Sequence, residues 1–343
     1  MTDYNYAEIW VTRILESRYP FRIGNPLLSS IVKFGVLPDL AFALFCVMNA
    51  QYLPKDFVTT GIMALTWLNL GPYFIWYYDQ RLLPQFFTKA SEIVSDTNRL
   101  HRLARKYDRL FSHRYWIITI PWAVIVICAV LGLRLLGFIG VFYWVIVIGG
   151  VWISVLTSIG FWGVFTTMLA IREISQEHLS IDPFHPDKLG GLSCIGYYAI
   201  GTTLLFSTGS LFLPVIFEFV SQGQAGGIAA SILLFAVSMF SGFTLLSFLY
   251  PTIKTNRAAQ SARYKILEKL RQEYALLLRS IKEKDERTAE QSGAYAKLNQ
   301  VRSEYMDYRK MKLYPFEVEI LIKLIISVIL PFIVLLVDKY LLR

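Results

Sequence analysis

The sequence predicts an all-α polytopic membrane protein of about seven transmembrane helices, N-terminus inside and C-terminus outside, with an intracellular helical bundle. Three observations predict it. Hydrophobic residues make up 55% of the 343 positions and charged residues only 17%, whereas soluble domains carry about 25% charge. Several apolar runs exceed the roughly 18 residues that mark a membrane-spanning helix. Lysine and arginine crowd into alternate connections between those runs, as orientation in a bilayer requires.

Residues 1–33 form an amphipathic segment. Ile9, Trp10, Ile14 and Leu15 lie near one helical face, with Arg13, Glu16 and Arg18 between them. Such a helix either lies on the membrane surface or packs on a cytoplasmic bundle. Pro20 and Gly24-Asn25-Pro26 end it. With Asp3, Glu8 and Arg13 in the first two dozen residues, no signal peptide is expected.

Seven spans follow, at about 34–53, 57–78, 116–136, 142–171, 192–217, 228–250 and 316–337. Tight turns at Gly137–Val141 and Gln222–Gly227 make hairpins of spans three and four and of spans five and six. The fourth run stays apolar to Ile171 and is long enough to project beyond the bilayer. Segments 1–33, 79–115, 172–191 and 251–315 hold 29 of the 34 lysines and arginines. These segments are therefore cytoplasmic, which fixes the N-terminus inside.

Two of the cytoplasmic segments read as helices. Over 84–113, Phe86, Ala90, Ile93, Thr97, Leu100, Ala104, Tyr107 and Phe111 draw one apolar seam. Over 252–312, Leu267, Leu270, Tyr274, Leu277 and Ile281 make one seam and Leu298, Val301, Tyr305 and Tyr308 another. A bend at Lys282–Glu290 would fold them into an antiparallel hairpin. The segments are thus 34–78 (spans one and two), 79–115 (cytoplasmic helix), 116–250 (spans three to six), 251–315 (cytoplasmic hairpin) and 316–343 (span seven). The apolar seams pair within one bundle; a dimeric coiled coil is the alternative and leaves a homo-oligomer open.

The net charge of +9 fits anionic lipid headgroups at the cytoplasmic face. No recognition motif for nucleic acid accompanies it. Cys46, Cys128 and Cys194 lie in or beside apolar runs without metal-ligand spacing. No cofactor is expected, and no Walker loop, HExxH, nucleophile elbow or dinucleotide fingerprint occurs.

The segment 172–191 leans acidic on an otherwise basic face. It holds Glu173, Glu177, Asp182 and Asp187 against Arg172 and Lys188, with His178 and His185. Glu173 and Glu177 share a helix face. His178, His185, Glu173 and Glu177 are the candidate metal ligands by residue type, though the spacing matches no recognised site. Asp182, His185, Asp187, Lys188, Gly190 and Gly191 form the candidate ligand- or ion-binding stretch. Two glycines let successive amides turn inward as an anion nest, at the start of span five. The structural reading is that Asp187 caps a turn and the glycines permit a sharp re-entry into the membrane.

Among membrane positions, Asp39 is a carboxylate near the start of span one, and such residues are functional candidates. Spans four and five are rich in small polar residues from Ser154 to Thr167 and from Gly196 to Ser210. These suit close helix packing, or the lining of a wet cavity.

The run His185-Pro186-Asp187-Lys188-Leu189-Gly190-Gly191-Leu192 resembles a His-Pro-Asp-x-x-Gly-Gly-Leu junction of uncharacterised prokaryotic multi-spanning membrane proteins. The resemblance covers about a dozen residues and implies a membrane protein with this junction near a span start, but no activity. The seven-span, N-inside plan also looks like the insect gustatory and odorant receptor channels. That likeness is topological, because 316–337 lacks their Thr-Tyr and Gln-Phe signature.

Two functions are compatible with these features. One is a transport, channel or sensory protein of the cell membrane whose cytoplasmic helices serve assembly or gating. The other is a membrane-embedded enzyme acting on a lipid or phosphorylated headgroup, with His185, Asp187 and Lys188 at the headgroup level.

Overall fold

The computed structural model describes residues 6–51, 55–135, 141–177, 179–187, 189–212, 226–283 and 288–311, with Ile322, Ile329 and Ile333. The described residues are mainly helical and contain no strand, only an isolated antiparallel bridge between Val94 and Leu179. Among them, three helices are long and apolar enough to cross a membrane: Pro26–Met48, Thr97–Cys128 and Val147–Ile174. The expected turns at 137–141 and 222–227 fall wholly or mainly outside the described residues, and so does nearly all of the seventh run.

The chain opens with an extended stretch and a short helix, α1 (Trp10–Glu16). Its Val11, Thr12 and Leu15 are buried against the bundle while Ile14 stays exposed. The amphipathic segment thus packs its buried face on neighbouring helices. Lys33 donates to the carbonyls of Ile14, Leu15 and Ser17 at 2.7–3.0 Å. It thereby neutralises the negative end of α1.

Asn25 caps α2 (Pro26–Ser30) by accepting from the Leu27 amide, and Pro26 supplies the fixed φ of a first turn. A π turn at Ile31–Gly35 leads into α3 (Val36–Met48). α4 (Lys55–Tyr77) crosses it closely at Gly35, where an added Cβ would sit 1.4 Å from Asn69 Oδ1. The same Asn69 donates to both carboxylate oxygens of Asp39, at 3.2 and 3.0 Å. Asp39 is thus paired with a polar amide of the neighbouring helix.

A second π turn, Tyr78–Leu82, follows α4 and leads to α5 (Leu83–Ala90). The single helix expected over 84–113 is broken. Ser91 turns back to bond the Thr88 carbonyl, and Asp96 accepts from the Arg99 amide to start α6 (Thr97–Arg114) afresh. Side chains that bond their local backbone compete with helix continuation. Here the resulting elbow, 91–96, is also tied to the chain after α8: Ser180 N donates to Ile93 O at 2.8 Å.

α6 runs almost without interruption into α7 (Trp116–Leu135), which pairs with α8 (Val141–Ile174). α9 (Ser193–Ser207) starts after the polar junction and ends in a 3₁₀ turn, Thr208–Phe212. The sixth run and the first half of the expected hairpin are one helix, α10 (Gly226–Glu283), continuous through Pro251. α11 (Thr288–Lys310) folds back along it, and Arg263 Nη1 reaches the Met311 carbonyl at 3.2 Å. This is the expected antiparallel hairpin.

The small polar residues of α8 and α9 are used as interhelical glue. Thr119 and Ser158 hydroxyls lie 2.6 Å apart between α7 and α8. Tyr78 meets Tyr198 at 2.7 Å and Thr167 at 3.0 Å, and Thr167 meets Thr202 at 3.0 Å. Thr203 and Ser247 join α9 to α10 at 2.8 Å. In an apolar surround a hydroxyl without a partner is costly, so such pairs fix which helix faces meet. The core beside them is aromatic, with Phe86 stacked on Tyr198 at 4.1 Å. Outward, Leu37, Val47, Ile120 and Ile148 are exposed apolar side chains on candidate membrane helices.

Candidate functional site

The polar junction between α8 and α9 is built around Asp187. One carboxylate oxygen accepts from the amides of Leu189 and Gly191 at 2.9 and 3.0 Å. The other accepts from Ser193 N at 3.1 Å, in the first turn of α9. The loop amides that the two glycines turn inward are therefore satisfied by an internal anion. Gly190 and Gly191 both have positive φ, 71° and 89°, a region that glycine alone enters without strain. There is no room for a side chain either. A Cβ on Gly190 would lie 2.4 Å from Ile181 Cγ2 and 3.2 Å from Met311 Sδ; one on Gly191 would lie 2.5 Å from Ile93 Cγ2.

His185 completes the arrangement. Its Nδ1 lies 2.7 Å from Asp187 Oδ1 and its Nε2 lies 3.4 Å from Glu92 on the elbow. An imidazolium donates to both carboxylates; Asp187 N, 3.3 Å from Nδ1, could donate to that nitrogen only in the neutral ring. Desolvation pulls the His185 pKa down, but Asp187 and Glu92 together outweigh it, and the net shift is upward. For Asp187, burial works to raise the pKa, yet the amides of Gly191, Leu189 and Ser193 hold it below the usual carboxylate value. Both shifts favour the ion pair.

Asp182 stands at the other end of the loop. It accepts from Phe184 N at 2.9 Å, and its carbonyl accepts from His185 N at 3.2 Å. Its charge also bears on Tyr308 of α11, whose pKa is raised first by burial and then by Asp182 and Glu304. The hairpin thus reaches this junction at both Tyr308 and Met311. Lys188 and His178 fall outside the described residues.

Glu173 and Glu177 do not join His185. Glu177 pairs with Arg99 at 2.8 Å and Glu173 with Lys106, both on α6. Among the described residues, no three His, Cys, Asp or Glu side chains converge as metal ligands. The four metal candidates are therefore divided. Two are bound to cations of α6, one is bound to carboxylates, and one is not described.

Glu92 and Met311 escape sequence reasoning because their role depends on tertiary approach. Glu92 is the one carboxylate between Asp79 and Asp96, a thin signal. A second polar cluster, around Asp79 and Asp108, is equally invisible in sequence, since 29 positions and the elbow at 91–96 separate its members. Comparison of the chain with protein-family models, with curated proteins and with solved structures returned no match.

Proposed function

We propose that this chain is a multi-pass cell-membrane protein with a transport, channel or sensory role, in which the junction over 179–193 transmits the position of the cytoplasmic hairpin to α9. The reading includes seven spans, N-terminus inside and C-terminus outside, and a basic face apposed to anionic headgroups. The alternation of basic segments supports it. So does the resemblance of the His185–Leu192 run to a junction of multi-spanning membrane proteins.

The observation that carries the coupling role is the convergence at Gly190 and Gly191. Ile93 of the elbow, Ile181 of the loop and Met311 after α11 all press on these two residues, immediately before α9 begins. A displacement of the hairpin is therefore felt where α9 enters the apolar layer. Packed contacts of this density respond by switching between arrangements rather than by yielding smoothly.

The test is reconstitution of the purified chain in liposomes and measurement of flux across a panel of ions and small solutes. Flux in the parent chain that Gly191→Ala alters, at equal protein level, supports the reading. A well-folded sample without flux across the panel overturns its transport arm. A spectroscopic distance between α11 and α9 that ignores Gly191→Ala overturns the coupling role.

A second reading, an enzyme acting on a lipid or phosphorylated headgroup, draws on one observation. His185 keeps a quarter of its side chain exposed beside Glu92 while Asp187 backs its other nitrogen, the orientation a general acid needs. Alanine at His185 and at Asp187 would abolish such an activity; activity retained at normal protein levels would end this alternative.

A further inference from the structure

The N-terminal segment is bound to the bundle through two buried carboxylates. Residues 6–9 run extended, so the amides of Ala7 and Ile9 point the same way. Ala7 N donates to both oxygens of Asp108, at 3.1 and 2.9 Å, and Ile9 N donates to Asp79 Oδ2 at 3.2 Å. Asp79 and Asp108 are each 1% exposed. The π turn Tyr78–Leu82 buries both Tyr78 and Asp79, and π turns of this kind often serve functional sites. Above Asp79, the hydroxyl of Thr12 (0% exposed) and the amide of Gln80 face the carboxylate and interact with it. Thr12 Oγ1, Gln80 Nε2 and Asp79 Oδ1 are all buried, yet none closes a hydrogen bond of good geometry.

This is an incomplete site for a single proton. A carboxyl hydrogen on Asp79 Oδ1 would find Thr12 Oγ1 as acceptor and would remove the like charge facing Asp108. We propose that Asp79 is a proton-binding site whose occupancy governs docking of the segment 7–16 on the bundle. The proposal is independent of any transport activity.

The surroundings agree. Burial, then Asp108, push Asp79 up to about 7, against the pull of Thr12, Ile9 N and Gln80 toward the charged form. The titratable groups on the elements packed around it are Tyr6, Glu8, Arg13 and Glu16 of the N-terminal segment, Lys89 of α5, Arg99, His101, Arg102, Arg105, Lys106, Tyr107, Asp108, Arg109, His113 and Arg114 of α6, Tyr197 and Tyr198 of α9, and Tyr78 and Arg81 of its own turn. Of these, Asp108 bears on its charge. Tyr6, beside Asp108, is pushed up to about 12 by burial and by that carboxylate and stays neutral.

The sign follows from linkage. A carboxyl whose docked pKa lies above its undocked value of 3.8 favours docking when protonated. Docking is strongest at low pH and weakens as pH rises toward about 7, then levels off. From pH 5.5 to 8.5, one such group raises the opening equilibrium roughly 30-fold.

The measurement is hydrogen exchange of the full chain in lipid nanodiscs, corrected for intrinsic rates, read on peptides covering 7–16. The expected result is a loss of protection of that order between pH 5.5 and 8.5, with peptides over 99–110 unchanged. It persists in His185→Gln, flattens to less than about threefold in Asp79→Asn, and moves to lower pH in Asp108→Asn. Protection of 7–16 that is independent of pH in the parent chain overturns the proposal without recourse to any variant. An unchanged pH response in Asp79→Asn, or its disappearance in His185→Gln, overturns it too.

Discussion

Asp187 carries more structure per atom than any other residue of the junction. Three amides and an imidazole depend on its two oxygens. Replacing it with alanine leaves those donors without an acceptor, and each such loss costs about 1–3 kcal/mol. Asp187→Ala is expected to destabilise the chain by at least ~3 kcal/mol, measured by unfolding in mixed micelles. His185→Ala removes a partly exposed ion pair and should cost about 1 kcal/mol or less. A larger loss for His185 than for Asp187 would invert the hierarchy described above. The pair also has a pH window. Asp187, with its pKa lowered, contributes stability that is present above 3.8 and lost as pH falls through its folded value. His185, with its pKa raised, contributes stability present below 6.5 and lost as pH rises through its folded value. The contribution of the pair is therefore greatest between those limits, and the pH dependence of unfolding in His185→Gln should lose the alkaline shoulder. At Gly191 both backbone and space oppose a side chain. A left-handed alanine costs about 1–2 kcal/mol and overpacking a further 1–3 kcal/mol. Gly191→Ala should cost roughly 2–5 kcal/mol, with Gly190→Ala close to it.

At the scale of elements, the elbow at 91–96 shows what periodicity conveys and what it hides. Phe86, Ala90, Leu100, Ala104, Tyr107 and Phe111 are buried as their spacing requires, although the helix is interrupted between them. A seven-residue apolar rhythm survives a short break whenever both halves pack on the same core, so the pattern alone could not reveal the restart. Asp96 could have: a capping residue before a helix-forming run is a start signal. Asp96→Ala should lower stability by about 1 kcal/mol and raise exchange at the Arg99 amide before the rest of α6. The ion pairs Arg99–Glu177 and Lys106–Glu173 fasten α6 to the end of α8. Because their cations are exposed, losing either pair should change stability by less than about 1 kcal/mol. The opposite lesson comes from α10. Charge and apolar periodicity divided it into a span and a cytoplasmic helix at about residue 250, yet the backbone passes through Pro251 without ending. A proline removes one hydrogen bond but does not oblige a helix to stop. The antiparallel return of α11 was legible because its seam restarts after Gly293.

For the molecule as a whole, composition and apolar length identified helices suited to a membrane, and the structure contains three of them among its described residues. The site was legible only in part. The residues of the His185–Gly191 run lie together because they are neighbours in sequence, whereas Glu92, Tyr308 and Met311 arrive from elements about 90 to 120 positions away. The buried carboxylates Asp79 and Asp108 read in sequence as ordinary charges beside a membrane run. The proposed orientation makes a plain prediction. In a chain with Cys46, Cys128 and Cys194 replaced, Ala50→Cys should react with a membrane-impermeant maleimide added to intact cells. Gln300→Cys should react only after the cells are opened. The reverse pattern would overturn the assignment of inside and outside.

One property of α10 bears on what the hairpin could do. Beyond Pro251 the helix continues to Glu283, about 50 Å of unbroken rod at 1.5 Å per residue. Such a rod is a lever arm with its fulcrum at the proline. A tilt of about 5° at the proline displaces the far end by roughly 4 Å, about three-quarters of a helical turn. Read in reverse, a partner that moves the tip by that distance turns the half before Pro251 by only a few degrees, with the mechanical advantage that a long handle gives to a small load.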